Sequence, residues 1–513
     1  MELIKERASI GEVVFSGSFE TAADADLIVP DIKPDIAKIL QVDAAAYISS
    51  KNISDGRLTV SGKICFTVIY MPDSETPVPQ VMRTSVDFSH RAENPKISEN
   101  CNAIVNADIG KVDFHVINSR KLSLKAIAVI YSDIISERTV EFASSAEENA
   151  EVCTEQIALN TLLGMHDEEF LIKDSIEIPS GKSSIGELLK VDCKLCDKEI
   201  KSLTEKIVLK GTLNVNILYT DTNNCIEYTE AELPFTEVFD FPDLYEDDIC
   251  NINLRICDFG FDTSPDSDGD MRIINLELVV CAEMKSERKG SFTAIKDCFM
   301  PGCKTKLYYS ETELTKAATC ASAQSTLRDS AAVPSNAPGL KSVYNVPVKA
   351  VITKAEVSSG KISVSGKAEC YIQYITDDAQ TPLYCFRKDI PFEYLLDCPD
   401  ALPGAEASVD AQICHTSYHL NVAGEVEIRC ILTISAKALS AEKMQFISDA
   451  ENEEIPKDKR KGIVIYFVQP GDTLWKISKE YCVSSEDIAE FNALSDRNNL
   501  SAGQRLIIPA KKC

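Results

Sequence analysis

Three stretches of the chain alternate strictly between apolar and polar positions. Leu58, Val60, Ile64, Phe66, Val68 and Tyr70 fall on one face of the first; Ile207, Leu209, Leu213, Val215, Ile217 and Tyr219 on one face of the second; Ile362, Val364, Ala368, Cys370, Ile372 and Tyr374 on one face of the third. A period of two predicts half-buried strands, each about 13 residues long. A glycine at the middle of each, Gly62, Gly211 or Gly366, predicts a bend or bulge where a long strand turns between sheets.

These segments are copies of one unit. Pro30, Val42, Gly62 and Tyr70 recur as Pro179, Val191, Gly211 and Tyr219, and again as Pro334, Val346, Gly366 and Tyr374. Proline and tyrosine are 40 residues apart each time, while the copies are 149 and then 155 apart, so insertions fall outside the block. Ahead of the strand, Ile36, Ile39 and Leu40, and likewise Ile185, Leu188 and Leu189, have the spacing of a short helix or turn; the third copy keeps only Leu340 and Val343 and reads as irregular. Behind it come an aromatic segment with Phe88, Phe239 or Tyr394 and then a hairpin. The hairpins turn near Asn118 to Arg120, Asp268 to Asp270, and Ala423 to Gly424, all turn-forming chemistry.

The expected architecture is mainly β: three repeated antiparallel, sandwich-like domains of about 110 to 130 residues, then a small α+β domain. The boundaries read as 1–150, 151–315, a flexible Ala/Ser/Thr-rich linker at 316–338, 339–447, a charged linker at 448–462, and 463–510. Residues 135–165 are acidic and partly helical in pattern.

From Ile463 the pattern changes to strand, turn at Pro470 and Gly471, helix, helix, strand, within less than 50 residues. Asp472 or Thr473 can cap the first helix, Ser484 with Asp487 resembles a capping box on the second, and Pro509 stops the last strand. The order βααβ, the run GDTLWKIS, Asn492 at the end of the second helix and the run GQRLIIP resemble the LysM family. That resemblance implies a shallow groove for N-acetylglucosamine glycans, peptidoglycan or chitin, with Gly471, Asp472, Thr473 and Leu474 on one wall and Asn499, Leu500, Ser501 and Gly503 on the other. A purely structural account also fits: Asp472 as a helix cap, Leu474 and Ile477 as core, and Trp475, the single tryptophan, as cover for a small hydrophobic centre.

Composition narrows the function. At 513 residues the chain is too long for one core, and 44% apolar with 26% charged residues is ordinary globular protein. A formal charge of −27 repels phosphate backbones, which argues against nucleic acid as a partner. The opening MELIKERASI has no apolar h-region, and no apolar run approaches the roughly 20 residues that cross a bilayer, so a cytoplasmic protein without a membrane span is expected. The 19 cysteines are scattered singly, and in such a compartment should be mostly reduced. Cys193 and Cys196 form the one CxxC, with no second pair at zinc-ribbon spacing.

Repeated β-domains with the pattern L-x-V-x-G and a closing tyrosine, ahead of one C-terminal LysM, resemble the SPOCS-domain, SipL-type spore-coat morphogenetic proteins of clostridia. The resemblance implies a mother-cell protein at the forespore surface that helps attach the spore coat by binding the morphogenetic ATPase polymerised there and other coat proteins. An enzyme is not expected, and no cofactor or metal. The five histidines leave little acid–base chemistry; Cys414, His415 and His419 cluster on a strand without an acidic partner nearby in sequence, and the run DSDGD at 266–270 lacks the glutamate of a calcium loop. P-loop, GxSxG and HExxH motifs are missing. Two classes stay open: a scaffold that docks coat proteins, and a wall-associated protein that binds peptidoglycan through LysM.

Overall fold

The three alternating segments are the central strands of three equivalent sheets. The computed structural model describes the chain apart from residues 76, 318–320, 400, 455–462, 495, 497–499 and 510–513, and gives only backbone for 313–317 and 440–442. In the first unit β3 (Arg57–Pro72) lies between β2 (Ile36–Ser54) and β4 (Gln80–Glu93), and this sheet packs on a second in which β6 (Lys121–Ala146) lies between β1 (Leu3–Ile28) and β5 (Cys101–Asn118). The second unit repeats this: β8 (Ile185–Leu203), β9 (Lys206–Asp221) and β10 (Ile226–Asp240) against β7 (Glu151–Glu177), β12 (Met271–Phe299) and β11 (Ile249–Pro265).

In the third unit β13 (Cys303–Ala317) and β14 (Ala321–Ala331) are both antiparallel to β20 (Val426–Glu454), which also pairs β19 (Glu406–Leu420). Its inner sheet sets β15 (Leu340–Asn345), β16 (Val348–Ser358) and β18 (Leu383–Asp397) around β17 (Lys361–Thr376), with Pro347 between β15 and β16. The Ala/Ser/Thr-rich stretch expected as a flexible linker at 316–338 therefore contributes a strand, because a partner strand supplies the hydrogen bonds that small polar residues do not secure for themselves. Likewise residues 303–315, read as the end of the second domain, pair with the third, and β20 runs through 448–454, read as linker. The region 135–165 is two strands joined by a turn at 147–150 rather than partly helical; its Val140, Phe142, Ile157 and Leu159 pack between ribbons.

The short helix or turn expected after the proline in the first two copies is a bulged strand. In β2 the pairing skips between Ile36 and Lys38 and between Ile39 and Gln41; β8 skips at Ile185/Glu187 and Leu188/Lys190. Two bulges three residues apart break the period of two, so that Ile36 and Ile39, like Ile185 and Leu188, face their own unit's core while Leu40 and Leu189 face the centre of the molecule. Gly62, Gly211 and Gly366 do occupy equivalent central-strand positions, facing Phe88, Phe235 and Phe392 on the next strand. The irregularity lies on the other neighbour, in bulges at Ile48/Ser50, Cys196/Glu199 and Ile352/Lys354. A Cβ at Gly62 or Gly366 would run into a backbone oxygen, Tyr47 O or Val351 O, and into the facing ring. Each closing tyrosine is fully buried, and its hydroxyl donates to a carbonyl 36 residues upstream: Tyr70 to Pro34 (3.0 Å), Tyr219 to Ser183 (3.3 Å) and Tyr374 to Pro338 (2.8 Å). This bond ties the proline loop to the end of the central strand, which accounts for the fixed interval.

The three units close into a ring. Lys63 of the first pairs with Asp258 of the second (2.5 Å), Tyr418 of the third donates to Glu230 of the second (2.6 Å), and Lys349 of the third pairs with Asp108 of the first. At the centre the inner sheets meet through Ile69, Leu218, Tyr344 and Ile375. Beside this apolar patch lies a polar hub on equivalent positions Gln41, Lys190 and Asn345. The Lys190 ammonium touches Asp43 (2.8 Å) and Asp192 (2.9 Å), Asn345 donates to Asp192 (3.2 Å), and Tyr344 donates to Gln41 (2.8 Å). Burial works against the Lys190 charge, but the carboxylates of Asp192 and Asp43 outweigh it and hold its pKa above the ordinary lysine value.

Away from the ring, β1/β6, β7/β12 and β13/β20 continue as two-stranded ribbons. Strands of 26 to 29 residues extend about 85–95 Å. The ribbons pack together through Ala8, Val140, Phe142, Ile157, Leu159, Ala294 and Phe446, and farther along through Ala143, Ile295, Cys298 and Ile447. The result is a three-ribbon stalk. A bulge falls at Ser144, Lys296 and Ser448, residues 152 apart, so the stalk keeps the repeat as strictly as the ring.

Candidate functional site: the C-terminal module on the stalk

The last module is β21 (Val464–Phe467), α1 (Leu474–Tyr481), α2 (Ser485–Phe491) and β22 (Arg505–Ile508), with β21 and β22 antiparallel. Val468, Leu474, Ile477, Val483, Ile488, Ala489, Leu506 and Ile508 form its core. Thr473 caps α1, accepting from Lys476 N (3.3 Å); Ser484 caps α2, accepting from Glu486 N (3.2 Å). Asn492 joins the end of α2 to the last strand: its amide donates to Ile488 O and Ile507 O (both 2.7 Å) and accepts from Ile507 N (2.6 Å).

The loops that form the expected groove are held side by side. Val468 N donates to Gln504 O (2.9 Å) and Gly503 N to Val468 O (2.8 Å), while Ser501 N donates to the Gln504 side chain (3.0 Å). Gly471 and Gly503 sit at φ +88° and +83°, where a side chain would be strained. Asp472 closes its turn by accepting from Tyr466 Oη (2.6 Å) and Gln469 N (2.8 Å). Those bonds, Tyr466 first, hold its carboxyl below the usual range and push the Tyr466 phenol up to about 12.

Of the residues assigned to the groove, Gly471, Thr473, Ser501 and Gly503 are exposed, Asp472 and Leu500 are half-buried, and the Leu474 side chain belongs to the core. Asn499 lies outside the described residues. Two further residues shape the groove without being assigned to it by periodicity or motif: Tyr466 anchors Asp472 and Gln504 braces the second wall, each through a polar atom at a loop base.

Trp475 does not cover the module's own centre. Its indole N–H donates to Asp297 of β12 (2.8 Å), and its ring meets Phe299 edge-on at 5.3 Å. Lys479 pairs with the same Asp297 carboxylate. Ser484 and Ser485 donate to Glu151 of β7 (2.7 and 3.1 Å), and Gly302 N donates to Cys482 O (2.7 Å). The module thus rests on the stalk tip.

Asp266 accepts from the backbone N–H groups of Asp268 (2.9 Å) and Asp270 (3.0 Å), which makes the DSDGD run a hairpin tip. His419 does have an acidic neighbour, Glu427, at 3.5 Å across the strand pair. Cys193 and Cys196 lie in β8 facing Val215 and Thr212, and burial pushes both thiols up. Among the described residues no group of three or more His, Cys, Asp or Glu is disposed to hold a metal ion, and no helix is long and apolar enough to cross a membrane.

Comparison with known families agrees with this division. The model of the SipL SPOCS domain matches residues 35–117, 184–263 and 340–421, and that of the LysM domain matches 466–509. Each SPOCS match covers the inner sheet and the first strand of the outer hairpin; the long strands of the stalk lie largely outside it. Neither a curated protein nor a solved structure matches the chain. Both families are non-catalytic binding or structural domains. Three SPOCS domains of the SipL family followed by one LysM domain make this a chain of the SipL type.

Proposed function

We propose that the chain is a non-enzymatic scaffold of spore-coat assembly, which docks coat proteins to the forespore surface through its β-repeats and its LysM module. The SipL and LysM families associate it with sporulation and with a glycan-binding module; the scaffold role is the finer reading. The observation that carries it is the division of labour in the fold. A three-unit ring offers broad surfaces, and a stalk holds one small module at its tip, with Gly471, Thr473, Ser501 and Gly503 turned to solvent. Several weak contacts on one body act together at raised effective concentration. The partners are the coat-morphogenetic ATPase and other coat proteins.

The test must spare the module's fold. Asp472 and Leu474 are unsuitable targets, since one closes a turn and the other fills the core. Thr473→Asp with Ser501→Trp keeps a capping side chain at the start of α1 and blocks the exposed groove. As a fluorescent fusion in sporulating cells, this variant should leave the forespore surface while its circular dichroism matches the parent. A variant that still encircles the forespore, with normal coat, removes the groove from the anchoring role. The second reading, peptidoglycan binding through the same exposed groove, predicts that the parent sediments with purified peptidoglycan and the variant does not.

A further inference from the structure

The contact between module and stalk has the chemistry of a binding site with its ligand in place. Asp297 presents one carboxylate to two donors, the Trp475 indole N–H and the Lys479 ammonium. Phe299, two residues on, puts its ring edge-on to the indole. The bulge at Lys296, between Ile295 and Asp297, interrupts the pairing just before this carboxylate, and bulges re-aim side chains in this way. The stalk repeat shows that the arrangement is particular to the second unit. By the interval of 152 that relates the bulges, Asp297 corresponds to Ser145 and Asp449, and Phe299 to Glu147 and Glu451. One ribbon tip of three carries an acid followed by an aromatic, and the module sits on that one.

We propose that the α1 face bearing Trp475 and Lys479 is an acceptor for acidic–aromatic segments, and that the chain's own Asp297–Phe299 occupies it as an internal ligand. The module then exists in a latched state on the stalk and a released state on its charged connection, and an external segment of the same chemistry reaches this face only by displacing the stalk. The latch is independent of what the groove at 471–474 and 499–503 binds, so either can fail without the other. Burying an indole and an ammonium against one carboxylate is worth more than an exposed ion pair, because the bonds are charge-assisted and share a partly desolvated acceptor.

Trp475 is the only tryptophan, so all tryptophan emission of the full-length protein comes from a residue of the latch, and circular dichroism separates release from unfolding of the module. In the parent, emission is blue-shifted and protected from acrylamide at low salt. Raising the salt to about 1 M, which shortens the screening length to about 3 Å, shifts it toward the red. Asp297→Ala removes both charge-assisted bonds and lowers the latched-to-released ratio by on the order of a hundredfold, about tenfold for each bond, and Asp297→Asn, which keeps an acceptor for the indole, falls between. A synthetic peptide of residues 293–301 carrying Cys298→Ser, at about millimolar concentration to match the tethered ligand, restores the blue emission of the Asp297→Ala chain and leaves the parent unchanged. Unfolding of Asp297→Ala is checked by its thermal melt, and the salt series on the parent needs no substitution. Equal emission and quenching across the parent, its high-salt sample and both variants would overturn the latch. A peptide without effect on the released chain would overturn the acceptor.

Discussion

Replacing Lys190 by methionine tests whether the ring is held at its centre by charge. The Lys190 side chain is 8% exposed and pairs with Asp43 and Asp192, which also receive Gln41 (2.6 Å) and Asn345 (3.2 Å). Methionine fills nearly the same volume, so packing changes little, but it leaves two facing carboxylates without a cation. Breaking a buried pair by removing one partner costs about 3–5 kcal/mol; because the two aspartates are 31% and 37% exposed, the lower end applies, about 3 kcal/mol. An exposed control, Lys206→Met, loses a pair with Asp240 at 3.8 Å and should cost under about 1 kcal/mol. Urea unfolding followed by circular dichroism measures both. The pH dependence gives a second check. Burial raises Asp192 above the usual carboxylate value despite Lys190, so the folded chain holds that proton more tightly than the unfolded chain, and the group adds stability as pH falls through its folded pKa. Without Lys190 this term grows, and the deficit of Lys190→Met should shrink from pH 7 toward pH 5. A deficit below about 1 kcal/mol, or one that widens in acid, would refute the charge argument.

Gly62→Ala and Gly366→Ala should each destabilise by about 2–4 kcal/mol, and Gly211→Ala by clearly less, since the first two drive a Cβ into a carbonyl oxygen whereas the closest atoms at Gly211 belong to the Phe235 ring; thermal melts would rank them. Tyr70→Phe, Tyr219→Phe and Tyr374→Phe each remove one buried hydroxyl bond and should cost about 1–2 kcal/mol, least at the 3.3 Å bond of Tyr219, in the same assay. Asn492→Ala leaves the Ile507 N–H and O of the last strand without their partner and should unfold the C-terminal module by more than about 2 kcal/mol while the ring melts as before, read by Trp475 emission against circular dichroism. Native thiol labelling should reach exposed Cys225 and Cys385 first and Cys298, Cys370, Cys398 and Cys430 only after denaturation; labelling of these last four in the folded chain would contradict this.

The parts legible in the sequence are those where one residue answers to one local rule. Alternation around Gly62, Gly211 and Gly366 specified the central strands, and Asn118, Asp266 to Asp270 and Gly424 marked the hairpin turns, because turn backbone and strand faces each constrain residue type directly. The module at the C-terminus was legible for the same reason, as caps and glycines punctuate it. The pattern failed where two local irregularities combined, as in the paired bulges of β2 and β8, and where composition was read without its partner strand, as in β14. The ring, the stalk and the seat of the module were out of reach, since Lys190, Asp297 and Glu151 show their roles only against residues more than a hundred positions away or on another repeat.

Covalent tandem repeats solve a problem that a symmetric trimer would meet at this centre. Three copies of Lys190 on a true threefold axis would put three ammonium groups together, and three copies of Gln41 would supply no charge for Asp43 and Asp192. Divergence along one chain lets the same position carry Gln41, Lys190 and Asn345, so that one cation serves two acids and two amides complete the network. The same freedom operates at the other end. Ser145, Asp297 and Asp449 are equivalent, yet only Asp297 has Phe299 behind it and Trp475 in front, which gives a three-ribbon stalk a single seat for a single module. Equal repeats would offer three competing seats and no defined orientation for the groove. The unequal residues at the hub and the tip are thus what turn a repetitive β-fold into a body with one direction, and grafting Phe in place of Glu451 beside Asp449 should create a second, competing seat that lowers the share of modules found on Asp297.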